Sequence, residues 1–450
     1  MNMAMDLQAS IAEGQEDWAF SVGVQAYIWG LPIIKCWKYR LEKIGESAAT
    51  RCESDVQTKA VNEFQHMRSL STPGASRFVN SATDFLYSTA VLDLSAGPLM
   101  LDAPDFGRRW YGLQVLDPYM ETLANLGTRT FGSRLPPIMI ANRRHAAHVP
   151  SGTHAVFSDS DFVYVIGRIA AGSDEDLAPA HALQDGLALT ACGIRESSAV
   201  ATSSCEPLRH PHSGCPEELA FFEELGAVMK FVPPTPSEGN LAGLLGDVGL
   251  SVERGFDYAS LPTPIRSGLA RAVVFAQKIL GNKIFEVGES INGWRLVRDI
   301  GNYGHNYMVR ALVSLHGIWA NVPEESLYFM ARTDSEGRLL HGEHCYEIRF
   351  PAGGLPPVDA FWSISHYDGE GCLTENPVGK YTVNSLYNRL RPNSDGSVTV
   401  FISTTCPEPG MEENWLPSHN GSSTLTLRCY NPSRELLAGD YALPPLLRVR

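Results

Sequence analysis

The chain has no C-x-x-C pair, no P-loop, no G-x-G-x-x-G after a predicted strand, no G-x-S-x-G elbow and no H-E-x-x-H. Each absence removes a standard device: a redox dithiol, a phosphate cradle, a dinucleotide turn, a nucleophilic serine, a zinc-held water. Cations are scarce too, 36 Lys and Arg against 50 Asp and Glu, for a formal charge of −14. Nucleic acid and anionic membranes attract proteins through clustered Lys and Arg. No basic patch interleaved with aromatics occurs, so neither is expected as a partner. No stretch reaches the roughly 18 uninterrupted apolar residues of a membrane helix. The first twenty residues lack the basic n-region and apolar h-region of a secretory signal. Nine cysteines, an odd number scattered from Cys36 to Cys429, suit a reducing compartment. The cytoplasm is the expected location.

What remains is ordinary globular material, 44% hydrophobic and 19% charged. At 450 residues the chain exceeds one core, and roughly two to four domains are expected. Residues 15–45 are apolar and aromatic, with Gly30 and Pro32 predicting the end or kink of a helix. A second, more polar helix is expected over 52–70. Short β-prone runs follow, LYSTAVLDL (86–94), RWYGLQVLD (109–117) and DFVYVIGRI (161–169), separated by Gly, Pro and Asp. Helical spacing returns at Leu219, Phe222, Leu225 and Met229, then at Leu269, Val273, Ala276 and Leu280, with Gly281 as a stop. A further helix is expected over 303–319. Alternation resumes in SVTVFIS (397–403) and STLTLRCY (423–430), where Leu425, Leu427 and Cys429 share one face.

The two β regions repeat. WYGLQVLD (110–117) matches FWSISHYD (361–368) at an offset of 251, which carried forward sets Asn125 on Asn376 and Arg129 on Lys380. Val149-Pro150 and Leu416-Pro417 each precede a strand carrying an arginine, Arg168 and Arg428. The expected fold is α+β: two jelly-roll-like antiparallel β-sandwich domains related by internal duplication, with an N-terminal helical segment and a helical segment between them. The boundaries read 1–75 helical, 76–175 first sandwich, 176–326 helical, 327–450 second sandwich.

Specific segments add a family resemblance. AYIWGLP (26–32), DFLYSTAVLDL (84–94), YGLQVLD (111–117) and GTRT (127–130) resemble an N-terminal domain of unknown function 1254 (DUF 1254). YGHNYMVRA (303–311), ANVPEESLY (320–328), FWSISHYD (361–368), DGSVTV (395–400) and NWLP (414–417) resemble DUF 1214. The likeness spans about 20–448. It implies helices plus two jelly-roll-like sandwiches and no settled activity. Where the family reads P-N-x-D-T, this chain has Ser81-Ala82-Thr83-Asp84-Phe85, and where it carries an aliphatic residue, this chain has His366.

Several groups invite chemistry. His366 stands where the sister repeat has Val115, and Asp368 lies two residues on, spacing suited to a general acid–base pair. The plain alternative is a core histidine satisfied by a hydrogen bond. Tyr87 offers an acid and Asp84 its orienter, or merely a packed ring and a turn-forming residue. Tyr303, Tyr307 and Arg310 share a helix face that suits an anion or seals a sandwich, while His305, Val309, Leu312 and His316 share another. Tyr111, Trp362, Phe85 and Trp415 complete the expected substrate-binding set. Cys205, His210, His212 and Cys215 have zinc-ligand chemistry at spacings that match no common site, and His341-x-x-His344 diverges along a hairpin, so no metal is expected.

The expected function is a cofactor-independent enzyme acting on a small, largely apolar organic molecule by proton transfer: isomerisation, cyclisation or dehydration, in the manner of secondary-metabolite tailoring. A non-catalytic ligand-binding or assembly protein is the alternative, and a metal-dependent enzyme using the Cys205–Cys215 loop a second. Paired sandwiches also lend themselves to homo-oligomers.

Overall fold

A computed structural model describes residues 2–50, 61–74, 79–172, 174–193, 208–209, 214–283 and 286–449. The first helix, α1 (Asn2–Thr50), is 49 residues long and runs straight through Gly30 and Pro32, where an end was expected. An internal proline costs about 3 kcal/mol. Here Ala26, Trp29, Ile33 and Trp37 are all buried, and each large side chain returns about 1.5–3 kcal/mol on burial. Burial wins. At Gly30 the Leu225 side chain packs close, its methyls 2.7 Å from where a Cβ would stand, so any larger residue would have to displace it. Between Met5 and Gly45 this helix is long and apolar enough to cross a membrane, yet 67% of its most apolar window is buried inside the protein.

What buries it is the middle of the chain: α3 (Ala220–Met229), α4 (Gly239–Asp247) and α5 (Thr263–Lys283), which come after α2 (Asp174–Asp185). The periodic residues Leu219, Phe222, Leu225, Met229 and Leu269 all enter this shared core. A further helix, α6 (Tyr307–His316), bridges from there to the sheets. Over 61–70 the expected second helix is absent. Gln65–His66 instead form an edge strand opposite Ser88 and Thr89, and residues 51–60 lie outside the described ones.

Two sheet pairs follow. The first contains β1 (Phe85–Asp93), β2 (Leu99–Asp102), β3 (Tyr111–Leu116), β4 (Thr122–Gly127), β5 (Ile138–Asn142), β6 (His154–Ser158), β7 (Phe162–Ala170) and β8 (Ala188–Ala191). The second contains β9 (Ser326–Ala331), β10 (Tyr346–Phe350), β11 (Val358–Asp368), β12 (Thr382–Asn384), β13 (Val398–Ser403), β14 (Trp415–Pro417), β15 (Ser423–Pro432) and β16 (Leu446–Arg448). One sheet of each pair runs β1-β7-β3-β4 or β9-β15-β11-β12, and the other β6-β5-β2-β8 or β14-β13-β10-β16. The β5–β6 and β13–β14 pairs are parallel, so the sheets are not antiparallel throughout. Within each pair both sheets feed one apolar core, Leu86, Leu113, Val165, Leu101 and Ile140 in the first, Leu327, Ile364, Leu427, Ile348 and Val400 in the second. Strand β8 carries the first pair past residue 175, and Trp294–Leu296 joins the second ahead of 327.

Register makes the likeness of the halves specific. Gly112 lies opposite Arg168, and Ser363 opposite Arg428. Tyr87 also faces Arg168 across its ladder, and Tyr328 faces Arg428. The 251 offset therefore holds on β3 and β11, setting Val115 on His366. It fails one strand later: Gln114 pairs with Asn125 and Ser365 with Thr382, so Asn125 corresponds to Thr382 and not to Asn376. The connection between these strands is longer in the second half, where Asn376 caps a turn by accepting from the Val378 and Lys380 amides. The dipeptides also part company, since Leu416-Pro417 lies inside β14 whereas Val149-Pro150 precedes β6.

Candidate functional site

The alternation of β1, β7, β9 and β15 sends one set of side chains into each core and the other toward the opposite half. Between the halves, under α6 and the Gly317–Ala320 loop, lies a cavity of about 530 Å³. The first half contributes Phe85, Tyr87 and Arg168, the second Tyr328, Thr426 and Arg428. From α6 come Val309, Leu312, Val313 and His316.

Hydrogen bonds hold both arginines. Arg168 donates to Gln114 Oε1 at 3.0 Å, Asn321 Oδ1 at 3.1 Å and the Trp319 carbonyl at 2.8 Å. Arg428 donates to Ser365 Oγ at 3.2 Å, the Asn80 carbonyl at 2.6 Å and the Tyr367 hydroxyl at 2.9 Å. Tyr328 accepts from the Asn321 amide at 3.1 Å, which leaves its own hydroxyl hydrogen to donate. Burial raises the Tyr87 phenol, while the charges of Arg168 and Arg428 both pull it down. That phenol therefore lies in the positive field of both guanidinium groups. The His316 imidazole falls to about 4, through burial first and then the charges of Arg332 and Lys35. It is neutral at pH 7, with an open lone pair but a basicity below that of a free imidazole.

Of the residues singled out in the sequence, Tyr87 and Phe85 line this cavity. Asp84 is fully buried at the contact between halves, where Asn384 Nδ2 donates to it at 2.9 Å and burial raises its pKa. Its strand position puts it on the face opposite Tyr87's. The face of α6 that bears on the cavity is that of Val309, Leu312 and His316. Arg310 and Tyr307 point the other way, Arg310 toward Glu121 and Glu238 at 3.6 and 3.8 Å. Tyr303 is buried beside Ile300 and Trp319, its amide donating to Glu121. Tyr111 stacks on Phe106 in the first core at 3.6 Å, and its phenol rises to about 12 through burial. Trp362 packs on Phe350 in the second core, and Trp415 donates to the Ser403 carbonyl.

His366 lies on the core face of β11, away from the cavity, with Trp362 and Ile364. Its expected pairing with Asp368 is not made. The Asp368 carboxylate accepts from the Glu370 and Cys372 amides in a turn, and the imidazole meets the His419 ring at 5.4 Å. Its Nε2 has no hydrogen-bond partner. Burial, then His419, drives its pKa to about 3. Between pH 6.5 and about 3 the unfolded chain takes a proton that the native state refuses, so stability is lost as pH falls through that window and is complete above it. Wild type should lose about 2 kcal/mol more than His366→Val between pH 7.5 and pH 5. Urea unfolding at the two pH values measures this, and equal losses would refute it.

Cys205, His210 and His212 lie outside the described residues. Cys215 is partly buried, its thiol pushed up to about 11 by burial, and no cluster of three or more metal-ligating side chains occurs among the described residues. His341 and His344 rings stand 6.4 Å apart in a loop. Sequence reading passed over the cavity roles of Thr426, Tyr328, Arg168 and Arg428. The signal was the polar face of STLTLRCY, whose Thr426, Arg428 and Tyr430 all reach the cavity.

The class of protein is now defined: two sheet pairs of like strand order, bridged by helices, with a ligand-sized cavity where they meet. Two family models match in order, a protein of unknown function (DUF1254) over residues 61–191 and a protein of unknown function (DUF1214) over residues 325–434. The chain belongs to the family that pairs them, N-terminal to C-terminal. A crystal structure of the VPA0106 protein from Vibrio parahaemolyticus shares the fold with a TM-score of 0.69 at 20% identity, covering 96% of this chain and 100% of that one. An uncharacterised protein from Burkholderia cenocepacia aligns at 16% identity with a TM-score of 0.47, over 98% of this chain and 99% of its own. No curated protein matches.

Proposed function

We propose that this protein is a cofactor-independent enzyme acting by proton transfer on a small, largely apolar organic molecule held in the cavity between the halves. The observation that carries the reading is Tyr87, a phenol on an otherwise mostly apolar wall, within the fields of Arg168 and Arg428. Small-molecule sites combine apolar walls with a few convergent polar groups in this way. Tyr87 donates to a substrate oxygen, the guanidinium groups stabilise the negative charge that develops there, and the neutral His316 imidazole takes a proton from carbon. Isomerisation next to a carbonyl uses those three roles, and cyclisation or dehydration through an enolate uses them as well.

The same reading treats the halves as duplicated, jelly-roll-like β-sandwiches. Their matched strand orders, their parallel pairs and the equivalent Tyr87–Arg168 and Tyr328–Arg428 registers support it. Duplication explains why the site lies between them: each copy supplies one such cross-strand tyrosine–arginine pair.

Hydrogen exchange tests the chemistry without knowing the substrate. Incubation in D2O with a panel of small apolar ketones and enones should give protein-dependent deuterium at the carbon next to the carbonyl, read by NMR. Tyr87→Phe should slow it about a hundredfold or more. Binding without exchange would favour the binding-protein alternative, and undiminished exchange in Tyr87→Phe would remove the tyrosine from the mechanism.

A further inference from the structure

The cavity's charge is out of keeping with the chain's. The protein carries −14, yet Lys43, Arg168, Arg295, Arg332 and Arg428 line the cavity and, among the described residues, no aspartate or glutamate does. Two of these cations are deeply placed, Arg168 at 7% exposed and Arg428 at 3%. A buried cation is normally paired, because desolvating it alone costs several kcal/mol. Here all six hydrogen bonds from the two side chains go to neutral acceptors: amide oxygens, hydroxyls and main-chain carbonyls. Asp84 is the carboxylate whose charge reaches Arg428, and burial holds it toward its neutral form; Glu325, whose charge reaches Arg168, is already paired with Arg129 at 2.6 Å.

A guanidinium carries five N–H groups. Three hydrogen bonds engage each of Arg168 and Arg428, both of which line the cavity, so each keeps N–H groups that no hydrogen bond engages. Beside Arg428 on the same strand face, Thr426 is 3% exposed and its hydroxyl has no partner. Donors from both halves line one cavity, and among the described residues no carboxylate lines it with them.

We infer that the cavity takes an amphipathic oxyanion, a small apolar body bearing a carboxylate or phosphate head that the Arg168 and Arg428 guanidinium groups and the Thr426 hydroxyl receive together. This rests on the cavity assigned above and names the chemical class of its ligand. On Arg168 the remaining N–H groups are those of Nε and Nη2, one edge of the planar fork, which matches the paired oxygens of either head, and Arg428 adds single donors. The apolar body lies along Phe85, Val309, Leu312 and Val313. An anion so placed supplies the counter-charge the buried arginines lack.

Calorimetry and thermal shift with matched probes test it. Octanoate and 3-phenylpropanoate are compared with octanamide and 3-phenylpropanamide, of the same shape without the charge, and with octyl phosphate. At least one of the acids should bind tenfold or more tighter than its amide, which is about the value of one charge-assisted hydrogen bond. Thr426→Val should weaken the preferred acid about tenfold on the same grounds, and Arg428→Met about a hundredfold or more. A preference for octyl phosphate over octanoate assigns the head to phosphate, the reverse to carboxylate, and either supports the inference. Met330→Trp, on the cavity wall, fills the space and should abolish binding of every probe. Amides binding as tightly as acids, with Met330→Trp still blocking both, would overturn the oxyanion and keep the cavity. Binding of no probe, or binding that survives Met330→Trp, would overturn the cavity along with it. The acid-to-amide ratio on wild type decides the matter even where an arginine variant fails to fold.

Discussion

Arg310→Met should lower the unfolding free energy by about 3–5 kcal/mol, the usual consequence of removing one partner from a buried charge group. Arg310 is 2% exposed and lies between Glu121 and Glu238, with its guanidinium over the rings of Tyr119 and Tyr307. Glu238 is itself buried, accepting from the Trp29 indole at 2.8 Å and from the Thr235 amide at 2.9 Å. Those bonds fasten α1 to the start of α4, and Arg310 brings α6 to the same point. Methionine keeps the stem's volume and removes the charge, so the loss is electrostatic and not a packing defect. Adding Glu238→Gln removes the orphaned carboxylate and should restore part of the stability. Urea unfolding of the two single variants and the double variant measures the coupling, and a single-variant loss under about 1 kcal/mol would place the cluster in the class of weak surface pairs. The sequence offers Arg310 as an anion binder, and the anions it faces are the chain's own.

Much of the architecture was legible because it depends on local periodicity. The runs at 86–94, 161–169, 397–403 and 423–430 become strands within a residue or two of their expected ends, since alternation and strand register obey the same period of two. α3 and α5 follow from three- and four-residue spacing. What was not legible depends on tertiary burial. Gly30 and Pro32 read as a stop, yet the core formed with α3 and α5 keeps α1 continuous. The stretch 61–70 is polar enough for a surface helix, yet β1 has an unsatisfied edge, and Gln65–His66 pair with it. The parallel β5–β6 pair leaves no mark in either strand alone.

The site was half visible for a related reason. Comparing the repeats drew attention to His366, because a titratable group replaced Val115. Comparison of two like segments exposes differences, whereas a site to which both contribute alike appears as sameness. Arg168 and Arg428 served only as markers of the repeat, and Tyr87 was weighed without its counterpart Tyr328. On α6 both faces were recognised, and the one with more polar groups attracted the functional reading. The cavity took the greasier face, which suits an apolar ligand body, with His316 as its one titratable group.

Trp110→Ala should be the other severe substitution, costing about 3–5 kcal/mol as large aromatic truncations in a core do. Trp110 and Phe361 occupy equivalent positions of the two halves, and they meet edge to face at 5.5 Å. Around them Tyr430 lies 5.0 Å from Trp110 and 4.4 Å from Phe361, and the Trp110 indole donates to Asn431 Oδ1 at 3.3 Å. This cluster, flanked by the Arg129–Glu325 ion pair at 2.6 Å and the Asn384–Asp84 bond, joins one half to the other. Its loss differs in kind from a loss inside either core. Leu113→Ala thins the first core and should shift one cooperative transition as a whole, whereas Trp110→Ala weakens the contact that couples two cores. Calorimetry should then resolve two transitions in place of one. Because Phe85 and Tyr430 belong both to this cluster and to the cavity wall, ligand binding should fall with the docking. A Trp110→Ala protein that unfolds in one transition and binds normally would mean that the halves are held together mainly by the helices, and that the cavity's shape is set from above.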